Sequence, residues 1–197
     1  PGHFYSPLPD VRGIASARAA AIERAASGEL PGIALNAPVQ LALVEAFATK
    51  LERLPYPINP TQGHRFHLDN PFFSYGDAVV LFGMLCHFRP RRIVEVGSGY
   101  SSAAMLDAVE HGSVTPPAFT FIEPYPERLQ SLLRPGEHAH QVIEAVPVQE
   151  VATAVFAALE ANDILFIDSS HVLKLGSDVH HLLFEILPRL RPGVLVH

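Results

Sequence analysis

The second half of the chain alternates between short, nearly continuous apolar runs and longer amphipathic stretches. A short, continuously apolar run suits a strand that is buried on both faces. The predicted strands are residues 92–96, 118–122, 141–143, 164–167 and 194–196. The predicted helices between them are residues 101–110, 126–133, 151–160 and 175–190. Strands that alternate with helices form right-handed βαβ units, so this pattern predicts a parallel sheet with helices on both faces.

The first part of the chain is rich in proline and alanine, and its apolar positions recur at helical spacing. Helices are predicted over residues 12–27 and 39–54, and a third over residues 77–87 opens the alternating part. We therefore expect an N-terminal helical extension or cap over residues 1–70, followed by an α/β domain over residues 71–197.

The last predicted strand lies at the end of the chain. An apolar strand left as an open sheet edge invites aggregation, so proteins usually pair or cover it. We therefore expect that the sequence is a fragment whose C-terminal strands are missing, or that a homodimer covers this edge. The absence of an initiator methionine also suggests a longer product.

Composition and charge narrow the class of protein. The chain has 197 residues, of which 48% are hydrophobic and 17% charged, as in a globular enzyme. A net charge of -6 without a long basic run argues against a nucleic-acid partner. We find no apolar segment of the roughly 20 residues that span a bilayer and no signal peptide, so we expect no membrane partner and a cytoplasmic location. The lone cysteine, Cys86, excludes an intramolecular disulfide.

A glycine turn is the most informative motif. Glu95 closes a predicted strand directly before Gly97-Ser98-Gly99, and small hydroxyl residues then open a helix. Glycine lets the backbone turn tightly and approach a ligand closely. Strand, turn and helix N-terminus together predict a backbone cradle for a nucleotide-like ligand.

Two carboxylates suggest which nucleotide-like ligand binds. Glu123 ends the next predicted strand, where it could accept hydrogen bonds from the ribose of NAD or of S-adenosylmethionine, or remain a solvated charge. Glu95 would repel a pyrophosphate but attract a cationic amino-acid tail, unless it forms a structural salt bridge. Ser102 replaces the third glycine of a dinucleotide-binding loop. These residues favour S-adenosylmethionine over NAD.

Three segments carry a family resemblance. Residues 95–101 resemble motif I of the class I S-adenosylmethionine-dependent methyltransferases, residues 122–124 resemble the acidic motif that follows, and residues 163–171 resemble the strand-four motif. In detail the chain is similar to the small-molecule and sugar O-methyltransferase branch. The resemblance implies a Rossmann-like, doubly wound, mostly parallel sheet that normally has seven strands, of which five are present here.

The resemblance also implies roles for single residues. S-adenosylmethionine would be the cofactor, with its methionine part at the glycine turn, its ribose at Glu123 and its adenine near Val148 and Gln149. Tyr75, before the first domain helix, could belong to a lid over the cofactor. The residues so assigned to the cofactor are Glu95, Gly97, Ser98, Gly99, Tyr100, Ser101, Glu123, Val148, Gln149 and Tyr75.

Asp168 and His171 are the candidates for chemistry, because they follow a central strand at its carboxyl end. His171 could act as general base toward a hydroxyl, since its unperturbed pKa lies near neutrality. Asp168 could orient His171, contact the acceptor or bind Mg²⁺. Alternatively, Asp168 caps the loop and His171 packs on the next helix. His138 and His140 are expected on a solvated surface.

The leading hypothesis is therefore a methyltransferase that acts on a hydroxyl of a small-molecule acceptor or a sugar. Two alternatives stay open: an NAD-dependent oxidoreductase, and a non-catalytic Rossmann-like module that binds a partner.

Overall fold

The computed structural model describes residues 11–26, 34–137 and 141–197. The surface histidines expected at positions 138 and 140 lie outside these ranges. The chain divides into two compact units, residues 1–44 and 45–197. Within the described ranges, none of the helices combines the length and hydropathy that crossing a bilayer requires.

The N-terminal helices are α1 (Val11–Ala26) and α2 (Ala37–Ala48). The prediction extended α2 to residue 54, but only a 3₁₀ turn over Leu51–Arg53 follows. The hydroxyl of Thr49 donates to the carbonyl of Ala46 at 2.8 Å, and such side-chain bonds compete with the helical backbone pattern.

In its described residues, the α/β unit contains five strands and the helices around them. The strands are β1 (Arg92–Val96), β2 (Ala118–Ile122), β3 (Val142–Glu144), β4 (Ile164–Ile167) and β5 (Leu195–Val196). The helices are α3 (Tyr75–Phe88), α4 (Tyr100–His111), α5 (Glu127–Leu132), α6 (Thr153–Ala157) and α7 (Asp178–His181).

All five strands are parallel, in the order β3-β2-β1-β4-β5. The chain winds outward from β1 in both directions, which confirms the predicted α/β fold with a Rossmann-like, doubly wound sheet. Both faces are covered, because successive residues of β1 enter different clusters. Ile93 packs in the cluster that contains α3 and α4, and Val94 in the cluster that contains α6 and Leu182.

The segment before α3 also contributes to this core. Tyr56 and Phe66 are buried in the same cluster as α3 and α4, with ring centroids 4.8 Å apart. The hydroxyl of Tyr56 donates to the carbonyl of Ala104 at 3.0 Å. The domain boundary at residue 70 stays a prediction.

The last predicted helix, residues 175–190, is shorter and irregular. It begins at Asp178, where the Ser177 hydroxyl accepts a hydrogen bond from the His180 amide, and it ends at residue 181. A π-helical turn over Leu182–Ile186 and a 3₁₀ turn over Leu187–Arg189 follow. Pro188 has no amide hydrogen, so a regular α-helix cannot pass through it without losing a bond.

Asp163 ties the starts of β1 and β4 together. It is 1% exposed, and its carboxylate accepts backbone hydrogen bonds from Arg91, Arg92 and Glu160 at 2.9–3.0 Å. Buried amides need an acceptor, so this side chain fixes the register in which the central strands begin.

Replacing Asp163 by alanine should therefore lower the free energy of unfolding by about 2–4 kcal/mol, because buried donors lose their acceptor. Asp163→Asn retains one acceptor oxygen for the amides of Arg91 and Arg92, so it should lower the free energy of unfolding by less. Urea unfolding of both variants measures the difference. An alanine variant as stable as the asparagine variant would contradict this account.

Candidate active site

A cavity of about 810 Å³ lies at the carboxyl ends of the central strands. Open parallel sheets bind ligands at this edge, where the winding direction reverses. The cavity is lined by Gly97–Ser101 after β1, Glu123–Tyr125 after β2, Pro147–Gln149 after β3, and residues 168–172 with Lys174, Ser177 and Asp178 after β4. Three predicted motifs therefore meet at one place.

The turn after β1 requires glycine at its first position. Gly97 has a φ of +92°, and a Cβ there would lie 1.9 Å from the carbonyl oxygen of Asp168. The Gly97 amide donates to the carbonyl of Ile122 at 3.0 Å, and the Asp168 amide donates to the carbonyl of Val96 at 2.9 Å. The turn is thus held between the ends of β2 and β4.

Glu95 lies behind this turn, and it does not line the cavity. Its carboxylate is fully buried and accepts hydrogen bonds from the hydroxyls of Ser101, at 2.5 Å, and Ser102. The Ser102 hydroxyl in turn accepts from the Gly99 amide at 2.9 Å. The sequence predicts that Glu95 faces a cationic tail, whereas in this structure Glu95 would act on a ligand through the loop that it holds.

Burial raises the pKa of Glu95 to about 7, although the hydrogen bonds from the serine hydroxyls favour the charged form. The carboxyl group therefore changes its charge near neutral pH inside the structure that shapes the turn.

Glu123 lies at the cavity wall, as predicted for a ribose-binding carboxylate. One oxygen accepts the Ser98 amide at 3.3 Å and the other accepts the Tyr125 amide at 2.9 Å. A carboxylate has about four acceptor positions, so both oxygens retain capacity toward a ligand. Glu123 therefore joins the glycine turn to the end of β2 while it faces the cavity.

The two residues predicted near the adenine also line the cavity. Val148 is buried and Gln149 is exposed in a 3₁₀ turn after β3. The Gln149 side-chain amide donates to the carbonyl of Gly176 at 2.9 Å, which links this turn to the loop after β4.

Tyr75, like Glu95, is a predicted cofactor residue that does not line the cavity. It is the first residue of α3, which begins two residues before its predicted start, and it is not among the lining residues. Phe72 and Phe73 line the cavity instead. Phe73 is buried in the core, but Phe72 is 58% exposed and its ring stacks on Tyr100 with centroids 5.7 Å apart.

Asp168 and His171 form a pair at the cavity wall. The His171 Nε2 lies 3.2 Å from the Asp168 Oδ1, and both side chains are solvent-accessible. His171 has a φ of +57°, a left-handed conformation that turns its ring back toward the strand end. The contact through which Asp168 could orient the His171 ring is thus present.

The loop after this pair is anchored by Asp178, at the start of α7. Its carboxylate accepts hydrogen bonds from the Ser170 amide at 2.8 Å and from the Ser170 hydroxyl at 2.5 Å. Burial alone would raise the pKa of Asp178, but these hydrogen bonds lower it to about 2. Sequence reasoning did not assign Asp178 or the nearby Lys174, because neither lies in a strand-end motif.

The described residues offer no ligand set for the Mg²⁺ suggested at Asp168. In those parts of the chain, three possible metal ligands converge only at Asp107, Glu110 and His111, which do not line the cavity. Asp107 is also paired with Arg65 at 2.6 Å. A magnesium role for Asp168 has no support from this geometry.

Comparison with known proteins identifies the family. Residues 94–197, more than half of the chain, match the family model described as a methyltransferase domain. The chain belongs to this methyltransferase family. This confirms the resemblance to the class I S-adenosylmethionine-dependent methyltransferases, and the matched residues run from β1 through β5 and include the residues after β1, β2 and β4 that line the cavity.

The chain is also similar to two other proteins. An uncharacterized protein of Archaeoglobus fulgidus is 33% identical over 168 residues, covering 83% of this chain and 75% of the relative. A crystal structure of a methyltransferase of Podospora anserina with bound S-adenosylhomocysteine aligns with 97% of this chain and 71% of its own, at 19% identity and a TM-score of 0.38.

The raised pKa of Glu95 gives a stability prediction. The unfolded chain releases this proton near pH 4.5 and the folded chain near pH 7. Protonation therefore stabilises the fold fully below pH 4.5, and this contribution is lost as the pH rises through 7. Relative to Glu95→Gln, the free energy of unfolding of the native methyltransferase should fall by about 3 kcal/mol between pH 4.5 and pH 8.

Urea unfolding of both proteins across this pH range measures the effect. Comparing the two removes the titration of all other groups, which is common to both. A difference in stability that does not change with pH would show that Glu95 does not titrate in this window.

Proposed function

We propose that this methyltransferase binds S-adenosylmethionine in the cavity and transfers its methyl group to a hydroxyl of a small molecule or a sugar. One observation carries the proposal: a glycine turn and the Glu123 carboxylate line the same cavity as the Asp168–His171 pair. In this proposal the nucleoside would bind beside the histidine that takes the proton of the acceptor.

The residues present fit this cofactor. The cavity volume lies within the range of about 300–1,000 Å³ that is typical of small-molecule sites. Gly97–Ser101 would hold the amino-acid part, next to the N-terminus of α4, whose partial positive charge favours a carboxylate. Glu123 would bind the ribose, and Val148 and Gln149 would contact the adenine.

When bound, S-adenosylmethionine supplies a methyl group on a positively charged sulfur. The protein's task is then to align the acceptor and remove its proton. The His171 Nε2 faces Asp168, and in the tautomer that donates its hydrogen to that carboxylate, Nδ1 would accept the hydroxyl proton. Asp168 would stabilise the imidazolium that results.

Ser102 supplies a reason to prefer this function to NAD-dependent oxidation. At the position where a dinucleotide-binding loop has its third glycine, the Ser102 side chain is buried and bonded both to Glu95 and to the Gly99 amide. The serine is thus part of the buried structure of the turn. Membership in a methyltransferase family also favours methyl transfer over hydride transfer.

Cofactor binding can be measured by isothermal titration calorimetry with S-adenosylhomocysteine. We expect binding by the native protein and a loss of roughly tenfold or more in Glu123→Ala, because ribose hydrogen bonds to a charged group are lost. Glu123→Gln, which keeps one acceptor oxygen, should lose less affinity for S-adenosylhomocysteine.

NAD should not raise the melting temperature of the native protein. Stabilisation by NAD alone would instead support an oxidoreductase.

The role of His171 can be measured with radiolabelled S-adenosylmethionine and a panel of hydroxylated small molecules and sugars. Replacing His171 by asparagine, which tolerates the left-handed backbone, should lower turnover by roughly two to four orders of magnitude. The affinity for S-adenosylhomocysteine should not change. Turnover equal to that of the native protein would remove His171 from the mechanism.

A further inference from the structure

Arg128 differs from most arginines of the α/β unit. It lines the cavity from the first turn of α5, and in the described residues no carboxylate lies within ion-pair distance of it. The arginines that do contact a carboxylate are Arg65, Arg91, Arg92, Arg134, Arg189 and Arg191. In the described residues, the cavity therefore contains the positive charge of Arg128 without a counterion.

Aromatic packing orients this guanidinium. Its central carbon lies 3.9 Å from the centroid of the Phe72 ring, and Phe72 itself stacks on Tyr100. A guanidinium that rests on a ring uses its flat face, so the N–H groups along its edge stay free to bind a carboxylate in a bidentate manner. The stack also limits the rotamer entropy that Arg128 would lose on binding.

The stem of Arg128 lies against the glycine turn. Its Cδ is 3.2 Å from the position that a Cβ of Gly99 would occupy, directly before the first residue of α4. The charge of Arg128 thus adds to the partial positive charge of the helix N-terminus. Neither Glu95, which is buried behind the turn, nor Glu123 forms an ion pair with Arg128 in the described residues.

We propose that Arg128 binds the carboxylate of the amino-acid part of S-adenosylmethionine. This rests on the proposed function, in which the turn at Gly97–Ser101 holds that part of the cofactor. Phe72 supports Arg128 as a positioning residue. An anionic acceptor is the other source of a carboxylate, and the experiment separates the two.

The test compares two ligands by calorimetry. S-adenosylhomocysteine carries the amino-acid carboxylate, whereas 5′-methylthioadenosine keeps the adenosine and the sulfur but lacks the amino acid. Arg128→Ala should bind S-adenosylhomocysteine about tenfold or more weakly and bind 5′-methylthioadenosine as the native protein does. Arg128→Lys keeps the charge but not the planar guanidinium. Its affinity for S-adenosylhomocysteine should lie between those of the native protein and Arg128→Ala. Arg191→Ala, outside the cavity, is the matched control.

Salt dependence gives a second readout that does not need 5′-methylthioadenosine. Raising the NaCl concentration should weaken S-adenosylhomocysteine binding more steeply in the native protein than in Arg128→Ala, because salt screens an exposed charge pair. Phe72→Leu should lose part of the affinity for S-adenosylhomocysteine while its response to salt remains.

Each other outcome overturns the proposal. Equal losses for both ligands would mean that Arg128 shapes the cavity as a whole. An unchanged affinity for S-adenosylhomocysteine would mean that Arg128 serves a different anion, such as the acceptor. Failure of the native protein to bind S-adenosylhomocysteine at all would instead reject the proposed function, and with it this role for Arg128.

Discussion

The close approach of two backbones at Gly97 is the constraint on which the site depends. The Asp168 carbonyl lies where any side chain at position 97 would have to be, so the ends of β1 and β4 can meet only because this residue is glycine. That contact brings the turn after β1 to the edge where the Asp168–His171 pair stands. A larger residue at position 97 would separate the glycine turn and Glu123 from the Asp168–His171 pair.

A buried carboxylate stabilises the turn from the opposite side. Glu95 sits in the middle of the sheet, opposite Phe121 and Phe166 in the neighbouring strands, where an unpaired charge would be costly. The hydroxyls of Ser101 and Ser102 compensate for that cost and in doing so bind the start of α4 to the end of β1. The serines after the glycine turn therefore have a structural role that does not depend on any ligand.

Strands were easier to predict than helices in this chain, for a physical reason. A sheet covered on both faces favours short, nearly continuous apolar runs, and β1, β2 and β4 have their predicted bounds. The ends of helices depend on local bonds instead, such as the Thr49 hydroxyl bond after α2 and the Ser177 hydroxyl bond at the start of α7. The periodicity of apolar residues does not indicate where those bonds form.

The sequence by itself determined which residues stand at the ends of the parallel strands, and the carboxyl ends of such strands share one edge. Glu123, Asp168 and the glycine turn could therefore be assigned to one site before the structure was known. Only the tertiary structure decided which side chains face the cavity. It turned Glu95 inward to the serines, and it brought Phe72 and Arg128 together at the cavity wall. Those two residues are distant in the chain, and the packing that joins them leaves no local pattern in the sequence.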